Sequence, residues 1–181
     1  MGMMGRSSLL ARTWRCDRTR RRAAAFALVE LMIVVAIISL LAMLAIPAIQ
    51  RVQRRAKIAA IVNDFRVFSA AFETYAQEGG KWPADTAAGA MPPTMAGRLN
   101  AGAWTRTTPI GGKYNWEFNQ QHFGTRYMAA ISISGTAGAP LPLDVNALLD
   151  LEKAIDGGDM NLLGGRFHVG TGLVPLFIIQ P

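Results

Sequence analysis

The chain has 181 residues, of which 51% are hydrophobic and 17% charged. That is enough for one domain with a core, and it excludes a globally disordered chain. The formal charge of +7 sits at one end: residues 1–25 hold seven arginines and one aspartate, and the remainder is only +1, so the basic character is an N-terminal property and the body is close to neutral, and the single cysteine, Cys16, excludes an intrachain disulfide or a Cys-based zinc site.

Directly after the arginine cluster the sequence runs AAAFALVELMIVVAIISLLAMLAIPAIQ. Residues 31–49 carry no charge. At a helical rise of about 1.5 Å per residue this run is just long enough to cross a hydrocarbon layer of about 30 Å. A core helix of a soluble protein shows a polar stripe, and this segment shows none, so it reads as membrane-embedded. Seven arginines precede it and four basic residues (Arg51, Arg54, Arg55, Lys57) follow it. The bias puts the N-terminus in the cytoplasm, and the body outside the inner membrane. A cleaved signal peptide has a shorter apolar region followed by a small-residue cleavage site. The run here is longer and no such site closes it. The other reading removes only the basic leader and keeps the apolar segment. Ala23, Ala24 and Ala25 supply small residues on the side where that reading needs them.

Glu30 is the one acid at the head of this run. An acidic residue at the centre of a membrane helix costs about 2.5–3.5 kcal/mol, and less near the interface. It reads either as an interfacial carboxylate in a first helical turn, where the macrodipole favours negative charge, or as a carboxylate kept for a partner cation. A cut before Phe26 would create an α-ammonium one helical turn away. That group, on the same chain or a neighbouring one, would be the partner.

These residues resemble the N-terminal signature of type IV pilins and of the pseudopilins of type II secretion. The shared features are Phe26 after a small residue, the acid four residues later, the LMIVVAII run, and Pro47. Ala25 stands where the family usually has glycine, and Ser39 replaces a glycine common in the run. The resemblance covers residues 20–80. It implies that a prepilin peptidase cuts between Ala25 and Phe26 and N-methylates Phe26. It also implies that Glu30 neutralises the Phe26 ammonium of an adjacent subunit. The chain is then a substrate and a structural subunit, not an enzyme. Its partners are the peptidase, identical or related pilin-like subunits, an inner-membrane assembly platform and membrane lipid. The layout implied is a leader over 1–25, a membrane and polymerisation helix over 26–50, its amphipathic half over 51–79, and a head over 80–181 with a variable loop at 84–112.

Pro47 predicts a kink rather than a helix end, because the helical pattern resumes after it. Ile58, Ile61, Val62, Phe65, Phe68, Phe72 and Tyr75 recur at three- and four-residue spacing. Arg54, Lys57, Asp64, Arg66, Glu73 and Glu78 are expected on the other faces. Gly79-Gly80 ends the helix and Pro83 follows. A rod from Phe26 to Glu78 is on the order of 80 Å long. No globule of this size encloses it, so its first half must be covered by lipid or by neighbouring copies.

Trp82-Pro83 is expected to pack on the helix end, and residues 84–112 to form a long loop interrupted near Leu99. Residues 113–119 and 127–134 read as strands joined by a hairpin. Residues 144–155 read as a helix capped by Asp144. Residues 166–169 and 173–179 read as closing strands, the last an edge or irregular one because of Pro175. The fold class is α+β, a long N-terminal helix on a small antiparallel sheet.

His122 and His168 are expected on a loop and a strand, with no acid and nucleophile beside them, and no phosphate loop appears. Gly111-Gly112 and Gly164-Gly165 read as turns leading into strands. Asp156 and Asp159 flank a Gly-Gly turn. They are weak calcium candidates, since two acids fall short of the usual 6–8 oxygens, and no cofactor is expected. The basic set at 51–57 reads as a solvated face at the membrane edge, with anionic lipid or DNA as other partners. The function these features imply is a pseudopilus subunit of type II secretion. The alternatives are a type IV pilin for adhesion, motility or DNA uptake, and a monomeric membrane-anchored binding module.

Overall fold

The computed structural model describes residues 18–142, 144–158 and 161–181, with side chains from residue 28 onward. The chain divides into two compact units, meeting between Ala48 and Ile49. The described part of the first unit is helical throughout. It is the N-terminal portion of α1 (Arg18–Gly79), which has Pro47 inside it rather than at a boundary.

The second unit is built on residues 49–79 of α1. Their apolar stripe behaves as its spacing requires: Ile58, Ile61, Val62, Phe65, Phe68 and Phe72 are buried. Asp64 departs from expectation. It is buried too, not on the solvated face, because three residues after Ile61 and four before Phe68 is a position inside the stripe. The helix stops where glycine permits it: Gly80 has φ +68°, and its N–H donates to Ala76 O at 2.8 Å.

Residues 84–112 are not one open loop. They contain a 3₁₀ turn at Pro93–Met95 and helix α2 (Ala101–Thr105), capped by the Asn100 side chain accepting from Ala103 N–H. Trp104 on α2 is fully buried against Phe68 and Phe72. Its indole N–H donates to Ala90 O at 2.9 Å. A buried indole with its polar atom satisfied is enough to order a short helix that propensity alone would not hold.

The sheet is four-stranded and antiparallel, in the order β1-β2-β4-β3. β1 (Lys113–His122) and β2 (Thr125–Ser134) form a hairpin closed by Phe123-Gly124, both at positive φ. Helix α3 (Val145–Ile155) follows, with Asp144 accepting from Asn146 N–H as its cap. β3 (Phe167–Gly170) and β4 (Val174–Gln180) complete the sheet. Of the two expectations for the Pro175 strand, edge or irregular, the edge is wrong, since β4 lies between β2 and β3, whereas its pairing with β2 is irregular, with a register shift between Ala129 and Ala130. Pro175 is tolerated because β2 pairs with β4 only from Leu176 onward. Its partner on β3, Val169, directs its N–H to Leu162 O instead, so the missing donor disrupts no ladder bond.

The core lies between α1 and the sheet. Phe72 stacks on Trp116 with centroids 3.8 Å apart, and Phe65 on Phe177 at 5.2 Å. Trp82 lies against Trp116, and its N–H donates to Gln180 Oε1 at 2.6 Å. Trp116 donates to Pro83 O at 3.0 Å. The tryptophan–proline pair thus ties the helix exit to β1 and β4. A smaller cluster of Tyr127, Ala130, Leu176 and Ile178 is separate from this core.

Candidate assembly helix and the contacts that frame the head

The first half of α1 has no polar face. Sixteen large apolar side chains between Leu28 and Val52 are exposed. An 18-residue window here reaches a mean hydropathy of 2.8, with none of it buried, so the helix is long and apolar enough to cross a membrane. Soluble monomers do not leave a continuous apolar surface of that extent uncovered. Ser39 turns its hydroxyl inward and donates to Val35 O at 2.7 Å, which hides the one polar side chain in the middle of the run. Glu30 is exposed, and among the described residues no hydrogen bond or ion pair is recorded for it.

The sequence-derived site residues do not gather at one point. Glu30 and Pro47 are on the same helix, about 26 Å apart along it by the helical rise. Ala25 and Phe26 lie within α1, and their side chains are outside the described residues. Asp159 is also outside them. Asp156 is committed to the fold: its two carboxylate oxygens accept from Arg166 N–H at 3.0 Å and Phe167 N–H at 2.7 Å, fixing the start of β3. Gly165, at φ +81°, lies so close that a Cβ there would meet the Asp156 carboxylate at 2.5 Å. Among the described residues no group of three or more metal-ligating side chains occurs.

Two polar clusters were missed in the sequence. The Asp64 Oδ2 accepts from Tyr114 OH at 2.6 Å and from the Arg106 guanidinium. Burial pushes the Tyr114 phenol well above its usual value, and the hydrogen bond to Asp64 adds to this. The same carboxylate raises Arg106 through its hydrogen bond. This cluster joins α1, β1 and the segment after α2. The only local sign of it was an acid standing at a stripe position.

The second cluster overturns the expectation for His122. It is the last residue of β1, not a loop residue, and its Nε2 is 2.5 Å from Glu117 Oε2. Glu117 also accepts from Ser132 Oγ, and His122 Nδ1 accepts from Thr171 N–H at 3.2 Å. Serine, acid and histidine are together, but the acid is in the middle. The hydroxyl therefore donates to a carboxylate and does not reach the imidazole, and Ser132 is fully buried away from any substrate, so the arrangement is not that of a serine activated by a histidine. His168 Nδ1 meets Tyr127 OH at 2.7 Å, and its Nε2 meets Gly165 O at 3.1 Å, which fixes a buried ring in the sheet.

Residues 20–46 match the family model of the prokaryotic N-terminal methylation motif. Among solved structures the chain is similar to the major type IV pilin of Clostridium difficile. The identity is 16%, over 71% of this chain and 97% of that one, with a TM-score of 0.50. No curated protein sequence matches. The fold, a long N-terminal helix packed on a four-stranded antiparallel sheet, is thus that of a type IV pilin. In its N-terminal motif and in its fold the chain is thus similar to the pilins. It is a pilin-like protein whose motif implies a prepilin peptidase and pilin-like subunits as partners.

Proposed function

We propose that the chain is a structural subunit of a helical filament, specifically of a type II secretion pseudopilus. In this reading a prepilin peptidase removes residues 1–25, cutting between Ala25 and Phe26, and methylates Phe26. Residues 26–50 hold the subunit in the inner membrane, with its head outside, until it passes into the filament. The observation that carries the reading is the exposed apolar surface from Leu28 to Val52 with a lone carboxylate at its head. Lipid covers that surface before assembly and sister helices cover it afterwards. Glu30 then pairs with the Phe26 ammonium of the next subunit. Because an unpaired charge among apolar helices is expensive, the pair also selects the stagger between subunits. The helix exit through Gly80, Trp82 and Pro83 and a head without cysteine favour the pseudopilus over a type IV pilus.

Mass spectrometry of the protein extracted from its native membrane is the direct test. The expected N-terminus is N-methyl-phenylalanine at position 26. An intact leader on the membrane-extracted protein would overturn the reading in favour of a monomeric anchor. Loss of the gene should stop enzyme export and leave surface pili in place; the opposite outcome assigns a type IV pilus.

A further inference from the structure

The sequence turns from apolar to basic within a few residues of Ile49, and the head opens a pocket at the same place. It has a volume of about 360 Å³. Gln50, Gln53, Arg54 and Lys57 line it from α1. Opposite them are apolar side chains, among them Leu148 of α3 and Leu173 of the β3–β4 turn. Leu173 holds a left-handed backbone, φ +61°, and remains 40% exposed. A bulky residue pays a cost for that conformation, yet a leucine stands there and presents apolar surface to the cavity.

The charges facing the pocket are positive in balance. Arg54 and Lys57 are exposed. Asp144 is the acid in the lining, and its Oδ1 already accepts from Asn146 N–H. Arg54 also approaches Asp150, at 3.9 Å with both side chains nearly half exposed, a contact too long and too wet to occupy the guanidinium. Gln50 to Arg54 lie within about 8 Å of Ile49 along the helix, and Lys57 within about 12 Å. The headgroup layer on each side of a bilayer is about 5–8 Å deep, and a lysine reaches back several ångström by snorkelling.

We propose that this pocket binds the phosphate of an anionic phospholipid headgroup, with Arg54 and Lys57 as the cations, Gln50 and Gln53 as neutral donors, and Leu148 and Leu173 against the glycerol and upper acyl carbons. The proposal rests on the reading that residues 31–49 lie in a bilayer. It gives the subunit a lipid ligand that it must release on leaving the membrane.

The test uses the full-length chain in nanodiscs of phosphatidylcholine with one-third phosphatidylglycerol, and native mass spectrometry of the lipids it retains. The wild-type chain should retain phosphatidylglycerol in strong preference to phosphatidylcholine. The Arg54→Gln/Lys57→Gln variant should lose about twentyfold of that preference. Arg66→Gln/Lys153→Gln removes the same charge outside the pocket and should keep it. Lys57→Gln alone, the milder change, should lose about fivefold. Equal retention of the two lipids by the wild type, or equal loss in both double variants, overturns the proposal. So does displacement of the lipid by millimolar inorganic phosphate, which assigns the pocket to a soluble anion. Burial of Lys57 that follows subunit association and ignores lipid composition assigns it to a second copy. A chain that does not enter the disc refutes the membrane reading itself, whereas one that enters without lipid preference refutes the pocket alone.

Discussion

Tyr114 of β1 donates its phenol to the Asp64 carboxylate of α1 across 2.6 Å, fifty residues apart in sequence. Arg106 closes on the same oxygen from the segment after α2. Three elements that share no local sequence signal are pinned at one buried atom. The head's attachment to its helix therefore has a polar lock inside an aromatic core.

Asp64→Ala should destabilise the head by about 2–3 kcal/mol, the cost of a buried phenol and a guanidinium losing a charged acceptor. Tyr114→Phe should cost less, since Arg106 still satisfies the carboxylate. Denaturant unfolding of the full chain in neutral detergent measures both. A double-mutant cycle should give a coupling well below the sum of the two losses.

The raised Tyr114 phenol sets an alkaline limit. With the folded value above the unfolded value of about 10, the native state keeps a proton that the unfolded state releases. Its contribution is fully present below pH 10 and is lost progressively as the pH rises further, by up to about 1.4 kcal/mol per unit. Unfolding at pH 9 to 11.5 should show the fall, and Tyr114→Phe should flatten it.

Glu30→Ala should insert into the membrane as well as the wild type or better, since it removes the one acid at the head of the run. Filament yield should collapse. Quantifying sheared filaments against membrane-bound subunit reads the two effects separately. Normal filaments from this variant would remove the ion pair from the account.

Ala25→Trp should block maturation, because a peptidase site built for a small residue has no room for an indole. The check is the intact mass of the membrane-extracted subunit, expected to retain the leader. A mature mass beginning at Phe26 would show that the cut lies elsewhere or tolerates bulk.

Asp156→Ala should cost about 1–3 kcal/mol, through two backbone N–H groups at the start of β3 left without acceptors. Gly165→Ala should be of similar severity, since it combines a left-handed backbone with a clash on Asp156. Calcium or chelator should leave the thermal midpoint of the wild type unchanged. A calcium-dependent rise would make Asp156 a ligand as well as a structural acceptor.

What was legible in the sequence was local. The stripe from Ile58 to Phe72, the glycine stop, the hairpin and the Asp144 cap each depend on residues within a few positions of one another, so periodicity and turn chemistry reveal them. The methylation motif is legible for the same reason. Asp64 was misplaced because its partners lie 42 and 50 residues away, and only the packed core shows that an acid at a stripe position has somewhere to go. His122 was read without its acid because Glu117, five residues back on the same strand, comes within reach only through the irregular end of the hairpin, where Asn119 takes a positive φ. Trp104 was left in a loop because its order derives from burial rather than from helix propensity. Pro175 obeyed the rule against ladder donors in a way that strand order alone does not reveal.

The strand order has a consequence for synthesis. β3 reaches the hairpin only through β4, which follows it in the chain and sits between them. While residues 174–180 are still inside the ribosome, β2 has a bare edge and β3 nothing to pair with. The sheet therefore closes in one step, when β4 enters between β2 and β3, and until then the β2 edge stays open.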